Sequence, residues 1–109
     1  MTPALQEDTT LTHIVTALVS GLRPQALYLF GSRARGRAAP TSDYDLLVVQ
    51  ATSDLPGHQR DRLALKALRQ VRAPVDVIVL TQDEFETEKA SATSLVSTVL
   101  REGVALYAA

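Results

Sequence analysis

The chain has 109 residues, 46% of them apolar and 21% charged, with a formal net charge of -1 at neutral pH and no cysteine. That length supports one domain with a modest core, so residues 1–109 read as a single domain. The near-neutral balance argues against a broad nucleic-acid surface, the lack of cysteine removes disulfides, thiolate metal sites and a cysteine nucleophile, and the apolar runs are too short to span a membrane.

The first eight residues read as a loose start without the basic-then-apolar pattern of a signal peptide, so the cytoplasm is the expected compartment. Thr9 or Thr10 is placed to cap a helix, and Leu11, Ile14, Val15, Leu18, Val19 and Leu22 follow as one apolar stripe. Gly21 and Pro24 mark its end. His13 falls off the stripe and reads as a surface histidine. Ala26–Phe30 is too short for a helix and is bounded by turn residues, so it reads as a buried strand. The loop 31–42 holds Gly31, Gly36, Pro40 and three arginines, Arg33, Arg35 and Arg37. A second strand covers 45–49, and a polar connector follows to Gly57.

Residues 58–72 read as a helix with Ala64, Leu65, Leu68 and Val71 inward and Arg60, Asp61, Arg62, Lys66 and Arg69 outward. That outer face suits solvent or an acidic partner. Residues 75–80 form a third strand. Thr81 and Glu84 make a capping box for a short acidic helix to about Lys89, in which Glu84, Glu86 and Glu88 serve as caps and solvent-facing charge. Ser91 or Thr93 opens a last helix with Leu95, Val96, Val99 and Leu100 as its stripe and Gly103 as its stop. Residues 104–107 are an extended tail, suited to pack on the sheet or to meet a partner. The sum is an α/β fold: a small mixed β-sheet with helices packed on it.

The chemistry gathers between the first two strands. Gly31-Ser32 ends the first, where a turn offers backbone N–H groups, a hydroxyl and nearby guanidinium groups, all suited to phosphate. Asp43 and Asp45 open the second, and because strand side chains alternate, they point one way while Tyr44 points the other. Adjacent carboxylates repel unless a cation lies between them, and magnesium takes one or two carboxylates and completes its shell with substrate phosphate. Phosphate holder and metal holder facing one pocket make a nucleotide site. Of Arg33 and Arg35, one suits a triphosphate clamp and the other a local carboxylate, whereas Arg37 reads as solvent-facing. Asp76 interrupts an apolar run, which is costly for a carboxylate unless it is paired or metal-bound, or unless it sits at an exposed strand start beside Arg72. Neither a P-loop nor a dinucleotide fingerprint is present.

Gly31-Ser32, a short spacer, then Asp43-Tyr44-Asp45 and an apolar strand resembles the signature of the DNA-polymerase-β-like nucleotidyltransferases. The fuller stretch GSRARGRAAPTSDYDLLVV is similar to the minimal nucleotidyltransferases, the antitoxin partners of HEPN-domain toxins, and the likeness spans essentially the whole chain. The resemblance implies the polymerase-β-like fold, ATP as substrate, and two magnesium ions held by Asp43 and Asp45, with Asp76 as the third acid on the second ion. It also implies nucleotide contacts from Gly31, Ser32, Arg33 and Arg35, and transfer of AMP to a tyrosine of a HEPN toxin, a protein adenylyltransferase activity that silences the toxin. The alternative is a non-catalytic antitoxin that neutralises its toxin by stoichiometric binding. A catalytic fragment modifying a small molecule or a nucleic-acid end is a third reading, disfavoured by the neutral charge and by the lack of an acceptor-binding domain after the core.

Overall fold

The computed structural model describes residues 3–109, and their elements follow the chain as α1 (Pro3–Gln6), α2 (Thr9–Leu22), β1 (Ala26–Phe30), α3 (Gly31–Ala34), β2 (Tyr44–Gln50), α4 (Gly57–Ala67), β3 (Val75–Thr81), α5 (Gln82–Lys89), α6 (Leu95–Glu102) and β4 (Val104–Ala108). The strands form one sheet in the order β3-β2-β1-β4. β1 runs antiparallel to β2 and β4, while β2 and β3 are parallel, so the sheet is mixed as the sequence suggested. The two parallel strands are joined through α4, since parallel neighbours need a crossover rather than a hairpin.

Strand alternation divides the core in two. Leu27, Leu29, Tyr44, Leu46, Val48, Val77 and Val79 face α2 and α4, where they meet Leu11, Ile14, Leu18, Ala64 and Leu68. Leu47 and Val49 face the other way, against Phe85 of α5 and Val96 and Val99 of α6. Burying a leucine, isoleucine or valine of this kind contributes roughly 1.5–3 kcal/mol, so the doubly covered β2 is the anchor of the fold.

Several boundaries differ from the sequence reading. Residues 3–6 of the expected loose start form a helical turn, and residues 1–2 lie outside the described residues. The cap of α2 is Asp8, whose Oδ1 accepts from the Leu11 N–H at 3.0 Å, rather than Thr9 or Thr10. Gly21 lies inside that helix because α4 passes close: a Cβ there would stand 2.9 Å from the Ala67 Cβ. The left-handed C-cap falls instead on Arg23, at φ 49°. The last helix is capped by Ser94, not Ser91 or Thr93, and residues 104–108 join the sheet as β4.

The largest departure is in α4, which is shorter than expected and turned. Leu65 is exposed and Arg60 is buried at 8% exposure. The cause is the edge of β3. The Arg60 Nη1 donates to the Val79 carbonyl at 3.1 Å, and the Val79 N–H donates to Asp61 Oδ1 at 2.8 Å. Two side chains of α4 thus satisfy the outward-facing backbone of an edge strand. Arg60 also meets Glu84 through two bonds, Nη1 to Oε1 at 2.6 Å and Nη2 to Oε2 at 3.0 Å. Glu84 closes the expected capping box with Thr81, so one carboxylate ties α4, β3 and α5 together. Arg60 and its hydrogen bonds hold the Glu84 carboxyl down at about 2. Among the described residues no helix is long and apolar enough to cross a membrane.

Candidate active site

The pairing of β2 with β1 and with the edge strand β3 sets Asp45 beside Asp76. Asp45 lies opposite Phe30 of β1 on one side and opposite Asp76 of β3 on the other. Alternation turns all three toward the α5–α6 face. Asp43 stands just before β2, two residues ahead of Asp45. Asp45 is half-buried, whereas Asp43 and Asp76 are exposed, so Asp76 occupies an open strand start. Burial pushes the Asp45 carboxyl above the ordinary carboxylate range, the charges of Asp76 and Asp43 push it further, and Arg35 opposes them. The site is therefore a cluster of mutually repelling acids with one member withdrawn from water.

Gly31 is fitted to that member. Its φ is +74°, a conformation that L side chains rarely adopt, and a Cβ there would run into the Asp45 carboxylate. The glycine gives the turn its left-handed start and leaves the gap that the carboxylate fills. Gly31 and half-buried Ser32 open α3, so the expected bare turn is a single helical turn. Gly36 also has positive φ, 71°, and nothing in the structure would meet a Cβ there.

The structure separates the three arginines. Arg33 donates from Nε and Nη2 to the Ser42 carbonyl at 3.0 and 2.8 Å, and from Nη2 to the Pro40 carbonyl at 3.1 Å. Its guanidinium carbon lies 3.8 Å from the centre of the Tyr44 ring. Arg35 is exposed and meets Glu102 at 3.9 Å, a solvent-facing pair of little strength. Arg37 is exposed, as expected. Arg35 is therefore the arginine near Asp45 with little to hold it back from an anion, while Arg33 is engaged with its own loop.

The sequence reading missed two residues of this neighbourhood. Tyr44 is buried, and its hydroxyl donates to Asp8 Oδ2 at 2.7 Å. Burial raises the Tyr44 hydroxyl pKa, and the Asp8 bond and charge add to that, with Arg33 opposing. A tyrosine between two aspartates must turn to the apolar face, where its hydroxyl needs a partner. That was the available signal. Asp8, acting as helix cap through one oxygen, supplies the other. His13 is exposed and lines an open groove of about 540 Å³ with residues such as Thr16 and Arg72, and none of the candidate residues lines it.

The donor set suits a hard divalent cation. Oxygen-only ligands match magnesium, and a cation would stabilise the Asp45 carboxylate against the burial and repulsion that raise it. Among the described residues no three histidine, cysteine, aspartate or glutamate side chains are gathered so that they could hold a metal ion by themselves. Magnesium bound with nucleotide does not require one, because it keeps waters and takes substrate phosphate besides one or two carboxylates.

The polymerase beta nucleotidyltransferase family matches residues 13–109. No curated protein matches the chain. A solved toxin–antitoxin complex with AMP-PNP is similar to it, at 26% identity and a TM-score of 0.65, over 90% of this chain and 73% of that one. The toxin–antitoxin MntA–HpeT, in a mutant with two aspartates one residue apart changed to glutamate, is 25% identical with a TM-score of 0.64, over 90% and 73%. The structure of a tri-AMPylated Shewanella oneidensis HEPN toxin with its MNT antitoxin shares the fold at a TM-score of 0.61 and 24% identity, over 93% and 71%.

Proposed function

The chain belongs to the polymerase beta nucleotidyltransferase family, and we propose that it is a magnesium-dependent adenylyltransferase that moves AMP from ATP to a tyrosine hydroxyl of a HEPN-domain toxin and so acts as its antitoxin. The observation that carries the reading is the Asp45 carboxylate, half-buried beneath Gly31 and flanked by Asp43 and Asp76. A fold gains nothing in stability from such a cluster, and family membership gives it a use. Similarity to toxin–antitoxin structures at 25–26% identity, one of them with AMP-PNP, supports the nucleotide and the class of partner.

Asp43 and Asp45 would hold magnesium, with Asp76 joining them across the β2–β3 register. Bound there, magnesium would neutralise phosphate charge and lower the pKa of the acceptor hydroxyl. Asp76, exposed at the strand start, would take the proton of that hydroxyl as its oxygen bonds to the α-phosphorus of ATP and pyrophosphate leaves. Gly31 and Ser32 let the backbone approach the phosphates, and Arg35 turns from Glu102 to the triphosphate. The acceptor approaches the open end of the sheet, where Asp43 and Asp76 meet solvent.

The test is transfer of label from α-labelled ATP to the purified HEPN partner in the presence of magnesium. Wild type should label it, and Asp45→Asn, which keeps shape and removes charge, should not. Equal labelling by wild type and variant would refute the assignment.

A further inference from the structure

We infer that Arg33 is a positioning residue: it fixes the peptide that carries Asp43 instead of holding the nucleotide. The inference rests on the proposed transferase reading for its kinetic consequences, but its structural part stands apart from that reading.

Asp43 precedes the strand that carries Asp45. It is exposed and lies outside β2, so the strand ladder does not hold it. The loop before it contains Gly36, Pro40 and four small side chains, and has no apolar anchor of its own. A metal ligand in such a place would wander unless something else fixed its backbone. Arg33 supplies that. Its Nε and Nη2 both donate to the carbonyl of Ser42, which belongs to the peptide bond joining Ser42 to Asp43. Two donors on one oxygen, with Nη2 also on Pro40, define the orientation of that peptide plane. The Ser42 hydroxyl accepts from the Ala39 N–H at 2.9 Å, and the Ser42 N–H donates to the Ala39 carbonyl at 3.0 Å, so the turn is closed on itself.

The residue after Asp43 is held as well. The Tyr44 N–H donates to the Pro74 carbonyl at 2.9 Å, just ahead of β3 and Asp76. The Tyr44 hydroxyl is tied to Asp8, and its ring is the surface on which Arg33 lies. Asp43 is thus bracketed on both sides, and Arg33 takes part in both brackets. A guanidinium committed to two carbonyls and an aromatic face is poorly placed to follow a triphosphate through a reaction. Arg35, two residues on, has only a long, exposed ion pair to give up.

Two substitutions separate the roles. Arg33→Lys keeps the charge and the contact with Tyr44 but lacks the fork that grips Ser42, and Arg33→Gln removes the charge as well. Two readouts are taken on each: hydrogen exchange of the amides in residues 39–44, with α2 and β2 amides as a control for folding, and steady-state AMP transfer. For a positioning residue, both variants exchange faster in 39–44 while α2 and β2 stay protected. Both also lose kcat by about a hundredfold, with KM for ATP changed about twofold or less. Were Arg33 a phosphate ligand, exchange in 39–44 would stay slow, Arg33→Gln would raise KM for ATP, and Arg33→Lys would restore most activity. That pattern would overturn the inference. If wild type transfers no AMP, the transferase reading fails while the exchange data still decide whether Arg33 orders the loop.

Discussion

Replacing Gly31 by alanine tests how the turn and the acidic cluster depend on each other. Two costs follow from the geometry. At φ +74° an L side chain is strained by about 1–2 kcal/mol. The new Cβ would also stand where the Asp45 carboxylate now lies, and Asp45 has a short side chain that must swing aside. Swinging it costs about 1 kcal/mol in an off-rotamer or partly desolvated position. The sum, about 2–3 kcal/mol, lowers the thermal midpoint of a chain this size by roughly 10–20 °C. The second cost disappears when the carboxylate is absent. In an Asp45→Ala background, Gly31→Ala should therefore cost only the backbone part, a coupling of about 1 kcal/mol in a double-mutant cycle. Urea denaturation of the four proteins measures it. AMP transfer by Gly31→Ala alone should fall by about a hundredfold or more, because a ligand displaced by about 1 Å loses that much. Strict additivity of the two substitutions would refute the proposed contact between Gly31 and Asp45.

Other consequences concern stability directly. Asp45→Asn removes a half-buried charge from among three mutually repelling acids, so in metal-free protein it should raise the denaturation midpoint while transfer is lost; a lower midpoint would contradict the burial and repulsion that raise the Asp45 carboxyl. Glu84 has its folded carboxyl at about 2 against an ordinary 4.5, so its pairing with Arg60 contributes fully above pH 4.5 and is lost as pH falls toward 2. At full strength that shift corresponds to about 3 kcal/mol, and since the Glu84 side chain is 43% exposed, solvent screening reduces it to about 1–2 kcal/mol. Denaturation at pH 6 and pH 3 of wild type and Glu84→Gln should show the loss in wild type and a flatter response in the variant. Gly103→Ala places a Cβ 2.6 Å from the Val99 carbonyl oxygen and 2.8 Å from that of Leu29, backbone atoms that yield poorly, so it should cost about 1–3 kcal/mol by urea titration.

Much of this architecture is legible in the chain. Ala26–Phe30 is an apolar run with turn residues on both sides, and β1 has those limits. Period-two alternation puts Tyr44 on the apolar face and Asp45 on the opposite one, and the parallel register sets Asp76 beside Asp45. Thr81 and Glu84 carry a capping box that local chemistry alone dictates. What the sequence concealed depends on neighbours distant in the chain. Arg60 reads as a solvated charge until the edge of β3 presents a carbonyl and Glu84 presents a carboxylate. Gly21 reads as a stop until Ala67 presses against it. Arg33 and Arg35 share one motif and one chemistry, and only the folded loop shows that the Ser42 and Pro40 carbonyls lie within reach of the first. Asp8 and Thr9 are both good caps, and the hydroxyl of Tyr44, far along the chain, adds to the case for Asp8.

The central claim is AMP transfer to a protein partner by the Asp43–Asp45–Asp76 cluster. The most direct measurement is the intact mass of the HEPN partner after co-expression with this protein and, separately, with its Asp43→Asn form. The account predicts a partner heavier by whole AMP increments with wild type and unmodified with the variant. An unmodified partner that is nonetheless bound and silenced by wild type would contradict it and would make the protein a stoichiometric inhibitor.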